Sequence, residues 1–361
     1  MTDGDFTSGT LAGIGVITAA FGVSALAVLL LLLHIGYSAA VDDQGARNKS
    51  PQFYYVISLL VSELVQAVGG ILNVNWILQK SVVEGSYCSA QGALKQLGDV
   101  GAALANLAIC IHTFAVIVCE WRPDASRSSL IPLTVVPSIW VFITLIVVIA
   151  AAIHPGYYAN TGLWCWISEN YFYERLFLEY IWMWTTAFLN VLLYLPVYLK
   201  IRGFIEVRSG RLALTPKEER VHVATAVAAP RRRMGKYAMR MLLYPAIYIF
   251  AILPIAVVRW INFVNSISVP LWATVLADVC FASSGLLSVL LFLKTRPALV
   301  RWNKMPVATI VVSSYGPSYS RRSVALPMNE ENWDEALGDI KLPNHFALSS
   351  TETGLDTKMN V

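Results

Sequence analysis

Charge is what this chain has least of. Only 14% of its 361 residues are Asp, Glu, Lys or Arg, against about 25% in ordinary soluble domains. The deficit excludes a water-soluble globular protein. The first forty residues hold Asp3 and Asp5 but no Lys or Arg. A cleaved signal peptide needs a basic leader ahead of a short apolar core. The apolar run here extends from Leu11 to about Leu33, so it is read as a first membrane span. Cysteine is scarce as well, with five residues and none beyond Cys280, which removes palmitoylation as an anchor for the C-terminal region. No Cys/His spacing resembles a metal site, and the five His residues are scattered. No metal and no cofactor are therefore expected, and an intramembrane metallohydrolase is disfavoured. The chain is not read as an enzyme. No internal repeat recurs at a fixed period, and no nucleic-acid partner is expected.

What the chain has in quantity is apolar sequence, 56% of all residues. A spanning helix needs about 20 mostly apolar residues. Seven stretches qualify, at roughly 11–37, 53–78, 88–119, 130–153, 176–200, 238–263 and 270–293. The expected fold class is all-α, a seven-transmembrane helix bundle in the lipid bilayer. Lys95, Gln96, Asp99, Asn106 and His112 interrupt the third stretch, but Gly98, Gly101, Ala102, Ala103 and Ala105 would let neighbouring helices approach it closely.

Orientation follows from Lys and Arg, which accumulate on the cytoplasmic side. With the N-terminus outside, the inner segments hold 23 basic residues and the outer segments hold two, Lys80 and Arg175. Residues 1–10 become a short extracellular N-terminus, 11–293 the transmembrane domain, and the C-terminus is cytoplasmic. In 294–305, Leu299, Trp302 and Met305 share a helical face opposite Arg301 and Lys304, as in a short interfacial helix. From 306 to 361 the tail is polar and is expected to be disordered. Within it, Arg321-Arg322-Ser323 offers a basic-directed phosphorylation site at Ser323.

Cys110, Cys119 and Cys280 fall at spans and read as packing residues. Cys88, at the head of the third span, and Cys165, in the outer loop 154–175, face an oxidising compartment. A disulfide between them would fasten that loop over the mouth of the bundle. Ionisable groups at membrane depth are costly and mark function by default. This chain has Glu63, Lys95, Asp99, Glu179, Arg259 and Asp278. Lys95 and Asp99 lie four apart and share a helix face. At the helical rise, Lys95 falls roughly 10 Å below Cys88 and Asp99 roughly 16 Å, with Arg259 about 6 Å and Asp278 about 12 Å below their outer helix ends. Those four are read either as structural ion pairs, Lys95–Asp99 and Arg259–Asp278, or as the floor of a ligand pocket. Tyr157, Trp164, Trp166, Trp260 and Asn262 would form the rim of such a pocket. His112 is expected to hydrogen-bond between helices.

Three short motifs narrow the reading. Gly162-Leu163-Trp164-Cys165-Trp166-Ile167 resembles the loop signature of the cyclic-AMP receptor family of G-protein-coupled receptors and its fungal glucose-sensing relatives. Val258-Arg259-Trp260-Ile261-Asn262 resembles that family's Asn-Arg-Ile-Val-Asn region, with Val258 in place of the leading Asn. Arg296-Pro297-Ala298-Leu299-Val300-Arg301-Trp302 is similar to its exit from the seventh span. The resemblance covers roughly 11–305. The rhodopsin-like pattern is absent: Glu120-Trp121-Arg122 separates the acid from the Arg by one residue, and the seventh span has no Asn-Pro-x-x-Tyr.

The resemblance implies a plasma-membrane receptor. It would bind a small extracellular ligand of nutrient or nucleotide type through Lys95, Asp99, Arg259, Asn262, Asp278, Trp164 and Trp166. It would engage a heterotrimeric G protein through Arg122 and the basic Arg231-Arg232-Arg233, feeding cyclic-AMP signalling. The alternative is a seven-helix small-solute transporter, although neither repeated halves nor paired Gly/Pro-broken helices are present. A retinal protein is excluded by the lack of Lys in 270–293.

The orientation is tested directly on intact cells. An N-terminal tag is expected to be reachable by antibody and a tag after Val361 is not, and the sequon Asn48-Lys49-Ser50 is expected to carry no glycan. The reverse labelling pattern would overturn the topology.

Overall fold

The computed structural model describes residues 6–41, 51–121, 125–201, 204–208, 211–214, 243–265, 269–295, 307–313 and 321–327. The helices are α1 Ser8–Val41, α2 Pro51–Ile71, α3 Asn73–Gln79, α4 Ser86–Ile117, α5 Ala125–Ile153, α6 Phe172–Arg175, α7 Ile181–Ile201, α8 Leu243–Asn265, α9 Leu271–Ala282 and α10 Ser284–Thr295. A π-helical turn, Leu176–Tyr180, joins α6 to α7. Six helical stretches are long and apolar enough to cross a membrane: Ser8–Val41, Gln52–Gln79, Ser86–Ile117, Leu130–Ile153, Phe172–Lys200 and Leu271–Lys294. The chain is thus a helical membrane protein. The remaining expected span falls on α8, in which Ala246–Ile261 is a shorter apolar helix.

Three antiparallel hairpins depart from the all-α expectation. They are β1 Tyr158–Asn160 with β2 Cys165–Ile167, β3 Ile205–Arg208 with β4 Arg211–Leu214, and β5 Val307–Ser313 with β6 Arg321–Pro327. The last belongs to a separate unit, 301–361, for which the sequence suggested no strand. The rest of the 306–361 tail, and 296–305 of the expected interfacial helix, lie outside the described residues.

Both faces of α1 are apolar. Ile14, Ile17, Phe21, Ala25, Val28 and Leu31 are buried at helical spacing. On the other side Val16, Val23, Leu26, Leu30 and Leu33 are each more than half exposed. In water such a face would be a liability; against lipid tails it costs nothing.

The central helix is α4, which touches α2, α5, α7, α8 and both strands of the first hairpin. Its small residues act as expected. A Cβ on Gly98 would lie 2.5 Å from the Gln66 backbone nitrogen, so α2 and α4 meet backbone to backbone there.

The expected seventh span is not one continuous helix. It breaks at Ser283, whose Oγ donates to the Val279 carbonyl at 2.7 Å. The Leu286 N–H beyond the break donates to Ser24 Oγ of α1 at 3.0 Å. A Cβ on Gly285 would sit 2.5 Å from the same Ser24 oxygen, so glycine is what admits this contact. In hydrocarbon a freed backbone group must find a partner inside the protein, and Ser24 supplies it.

At the disulfide end, fully buried Gln91 uses its whole amide. Its Oε1 accepts from Trp76 Nε1 at 2.7 Å and from the Cys165 N–H at 2.9 Å. Its Nε2 donates to Asn73 Oδ1 at 2.7 Å and to the Gly69 carbonyl at 3.2 Å. One side chain thereby joins α2, α3, α4 and β2. At the opposite end, Lys200 Nζ lies 2.7 Å from Glu120 Oε1, tying α7 to the segment after α4. Cys110 is buried, but Cys119 lies past the end of α4 and is exposed, contrary to its expected packing role.

Gln91→Leu orphans Trp76 Nε1, the Cys165 N–H and Asn73 together. At about 1–3 kcal/mol for each unsatisfied buried group, the purified protein should show a large drop in Tm. Tyr87→Phe, which removes one exposed bond to the Leu72 carbonyl, should shift Tm little. Equal Tm values for the two variants would contradict the role given to Gln91.

Candidate ligand site at the disulfide end

Cys88 and Cys165 are disulfide-bonded, with Cα atoms 5.2 Å apart. The bond pins β2 to the first turn of α4. In the hairpin, Asn160 pairs with Cys165 and Ala159 with Trp166. Side chains two apart on an extended segment share a face, and this places the Trp164 and Trp166 indoles on one side of Cys165. Both are buried.

Three cations lie against those two rings; Lys95 and Arg175 are buried and Arg259 is partly exposed. Lys95 Nζ sits 4.5 Å from the Trp164 ring centroid. The Arg259 guanidinium sits 4.8 Å from Trp164 and 4.8 Å from Trp166. Arg175 follows at 5.1 Å from Trp166, and it also donates to the Ile167 carbonyl. The result is a ladder of three cations and two indoles contributed by α4, α6, α8 and the hairpin. Each desolvated cation–π contact contributes about 0.5–2 kcal/mol, which offsets part of the cost of burying the charges.

The acids complete the cluster. Glu179 Oε2 accepts from Trp166 Nε1 at 2.7 Å. The wider π-helical turn carries Glu179 and Tyr180 into the interior, where both are buried. Among the described residues the ion pairs within 4.0 Å are His154–Glu174 and Lys200–Glu120. Neither Lys95–Asp99 nor Arg259–Asp278 is a contact pair, contrary to the structural alternative. Asp99 Oδ1, Asp278 Oδ2 and Trp164 Nε1 are buried without a hydrogen-bond partner.

These groups surround a small cavity that opens in part to solvent. Lys95, Asp99, Trp164, Trp166, Arg259 and Asp278, all singled out from the sequence, line it together. Glu179, Tyr180, Met183, Trp184 and Phe281 line it too. Glu179 was legible as a charge in an apolar run, but the π-helical turn that aims it inward has no sequence signal. A second small cavity lies beside the first, lined by Glu63, Asn106 and Ser288 among others. Asp99 and Phe281 belong to both.

Some expected members fall elsewhere. Trp260 is half exposed and packs edge-on to Trp184 at 4.9 Å instead of forming a rim. His112 packs on Tyr55 with ring centroids 5.6 Å apart, and its Nδ1 has no hydrogen-bond partner. The side chains of Asn262 and Ser323 lie outside the described residues, as do Arg122, Arg231, Arg232 and Arg233. No three of the described His, Cys, Asp and Glu residues are grouped to hold a metal ion. In the loop, Tyr158 donates to Gln96 Oε1 at 2.7 Å. Burial holds its phenol well above the usual tyrosine range, so it remains a donor. The chain matches no protein-family model and no curated protein.

A double-mutant cycle tests the ladder. Trp164→Leu and Lys95→Met should each lower Tm, with a coupling energy of roughly 0.5–2 kcal/mol. Strict additivity would remove the Lys95–Trp164 contact from the account.

Proposed function

We propose that the protein is a G-protein-coupled receptor of the plasma membrane. In this reading α8 is the remaining span, the N-terminus is outside, and the disulfide end faces the extracellular medium. The reading draws first on the 23-to-2 basic asymmetry and on the loop and sixth-span motifs that resemble the cyclic-AMP receptors. One structural observation carries it furthest: a charged, aromatic cavity lies directly beneath a hairpin tethered by Cys88–Cys165.

The ligand is a small polar molecule that enters from outside and contacts Lys95, Arg259, Asp99 and Asp278. These groups sit on α4, α8 and α9, so one ligand would bias the relative positions of three helices. It favours an arrangement only through its differential affinity for the two states. The α9–α10 break at Ser283 and Pro254 within α8 are places where such a shift could bend a helix. At the opposite end, parting of α4 and α7 would break the Lys200–Glu120 contact and expose a surface for a heterotrimeric G protein, with the basic 201–237 segment as a further candidate contact. A second reading, a small-solute transporter, draws on Asp99 lining both cavities with Glu63 further along. Uptake of a ligand by proteoliposomes containing the purified protein would favour it over the receptor.

Lys95→Ala and Arg259→Ala are expected to reach the cell surface at near-normal levels and to lose the ligand-evoked G-protein signal. Surface counts and G-protein dissociation are read on the same cells. Normal signalling in both variants would remove these residues from the site. Loss from the surface in both would assign them a folding role.

A further inference from the structure

The unsatisfied groups of the cavity carry both signs of charge, and that combination restricts the ligand. Asp99 and Asp278 are 7% and 3% exposed, and each has one carboxylate oxygen without a partner. Lys95 and Arg259 line the same cavity, each over the Trp164 ring and out of ion-pair contact with either acid. Opposite charges buried in a low dielectric attract strongly. Structural pairs would close to contact; here both cations rest on an indole and no such pair forms. We infer that the gap is shaped for a ligand bearing both charges, a small zwitterion with an ammonium and a carboxylate on one short scaffold, as in a free amino acid. This rests on the cavity being the ligand site of the proposed receptor.

The chemistry disfavours the other classes. A simple anion satisfies Lys95 and Arg259 but leaves the two orphaned oxygens facing added negative charge. A simple amine satisfies Asp99 and Asp278 but repels both cations. A neutral polyol supplies donors but no countercharge for these four groups. A zwitterion donates its N–H groups to Asp99 Oδ1 and Asp278 Oδ2 and accepts from Lys95 and Arg259, so each of the four gains a partner of opposite charge. The rest of the lining, Met183, Ile255 and Phe281 among it, suits an amino acid with an apolar side chain.

The test uses the full-length protein purified in nanodiscs, with binding read as a rise in Tm and by calorimetry. The probes are the individual apolar amino acids, their N-acetyl and carboxamide derivatives, glucose and cyclic AMP. At least one amino acid should bind, and both of its singly charged derivatives should bind about ten-fold or more weakly. In Asp278→Asn, the free amino acid should lose affinity while its N-acetyl derivative does not. Binding of glucose, cyclic AMP or an N-acetyl derivative with no binding of any amino acid overturns the zwitterion and leaves the receptor standing. Amino-acid binding without G-protein activation in cells does the reverse. No binding by any probe overturns the inference.

Discussion

Trp164 carries two cations against its ring, and much of the disulfide end depends on it. Its ring faces Lys95 from α4 and Arg259 from α8. Two like charges in so confined a space repel, and the indole face offsets part of that cost. Both cations rest on the indole while the carboxylates stay out of ion-pair contact. The position of Trp164 is in turn set by its neighbour Cys165, bonded to α4 on one side and hydrogen-bonded through its amide to Gln91 on the other. The charge cluster, the hairpin and the fully satisfied Gln91 amide therefore form one device.

The same constraint, that polar groups inside a membrane protein must be answered from within, organises the rest of the bundle. The break between α9 and α10 frees a backbone donor that Ser24 accepts. Glu63 receives Ser288. Where an answer is missing, as at Asp99 and Asp278, the orphaned atoms line a cavity.

Six of the seven residues proposed for ligand contact line one cavity, and the four charged ones were legible because the membrane makes charge rare. In so apolar a chain Lys95, Asp99, Arg259 and Asp278 stand out, and the Trp-Cys-Trp run marks the loop. Gln91 carried no such mark. It was one polar residue among several in 88–119, and its role depends on four partners from separate elements. Trp260 illustrates the opposite error. It neighbours Arg259 in sequence, but successive helical residues point about 100° apart, and so it faces outward beside Trp184.

By itself the sequence determined that this is a helical membrane protein, roughly where its spans lie, and that Cys88 and Cys165 could be joined. Those properties depend on the length, hydropathy and order of segments, which are written along the chain. Only the tertiary structure decided which face of each helix is buried, because lipid and protein interior are equally apolar and α1 has no amphipathic stripe to read. It alone decided that the seventh span breaks at Ser283 and that a π-helical turn aims Glu179 inward. It also showed that Lys95 and Arg259 meet an indole before they meet a carboxylate. Each of those outcomes depends on contacts between segments far apart in the chain, and local composition holds no record of them.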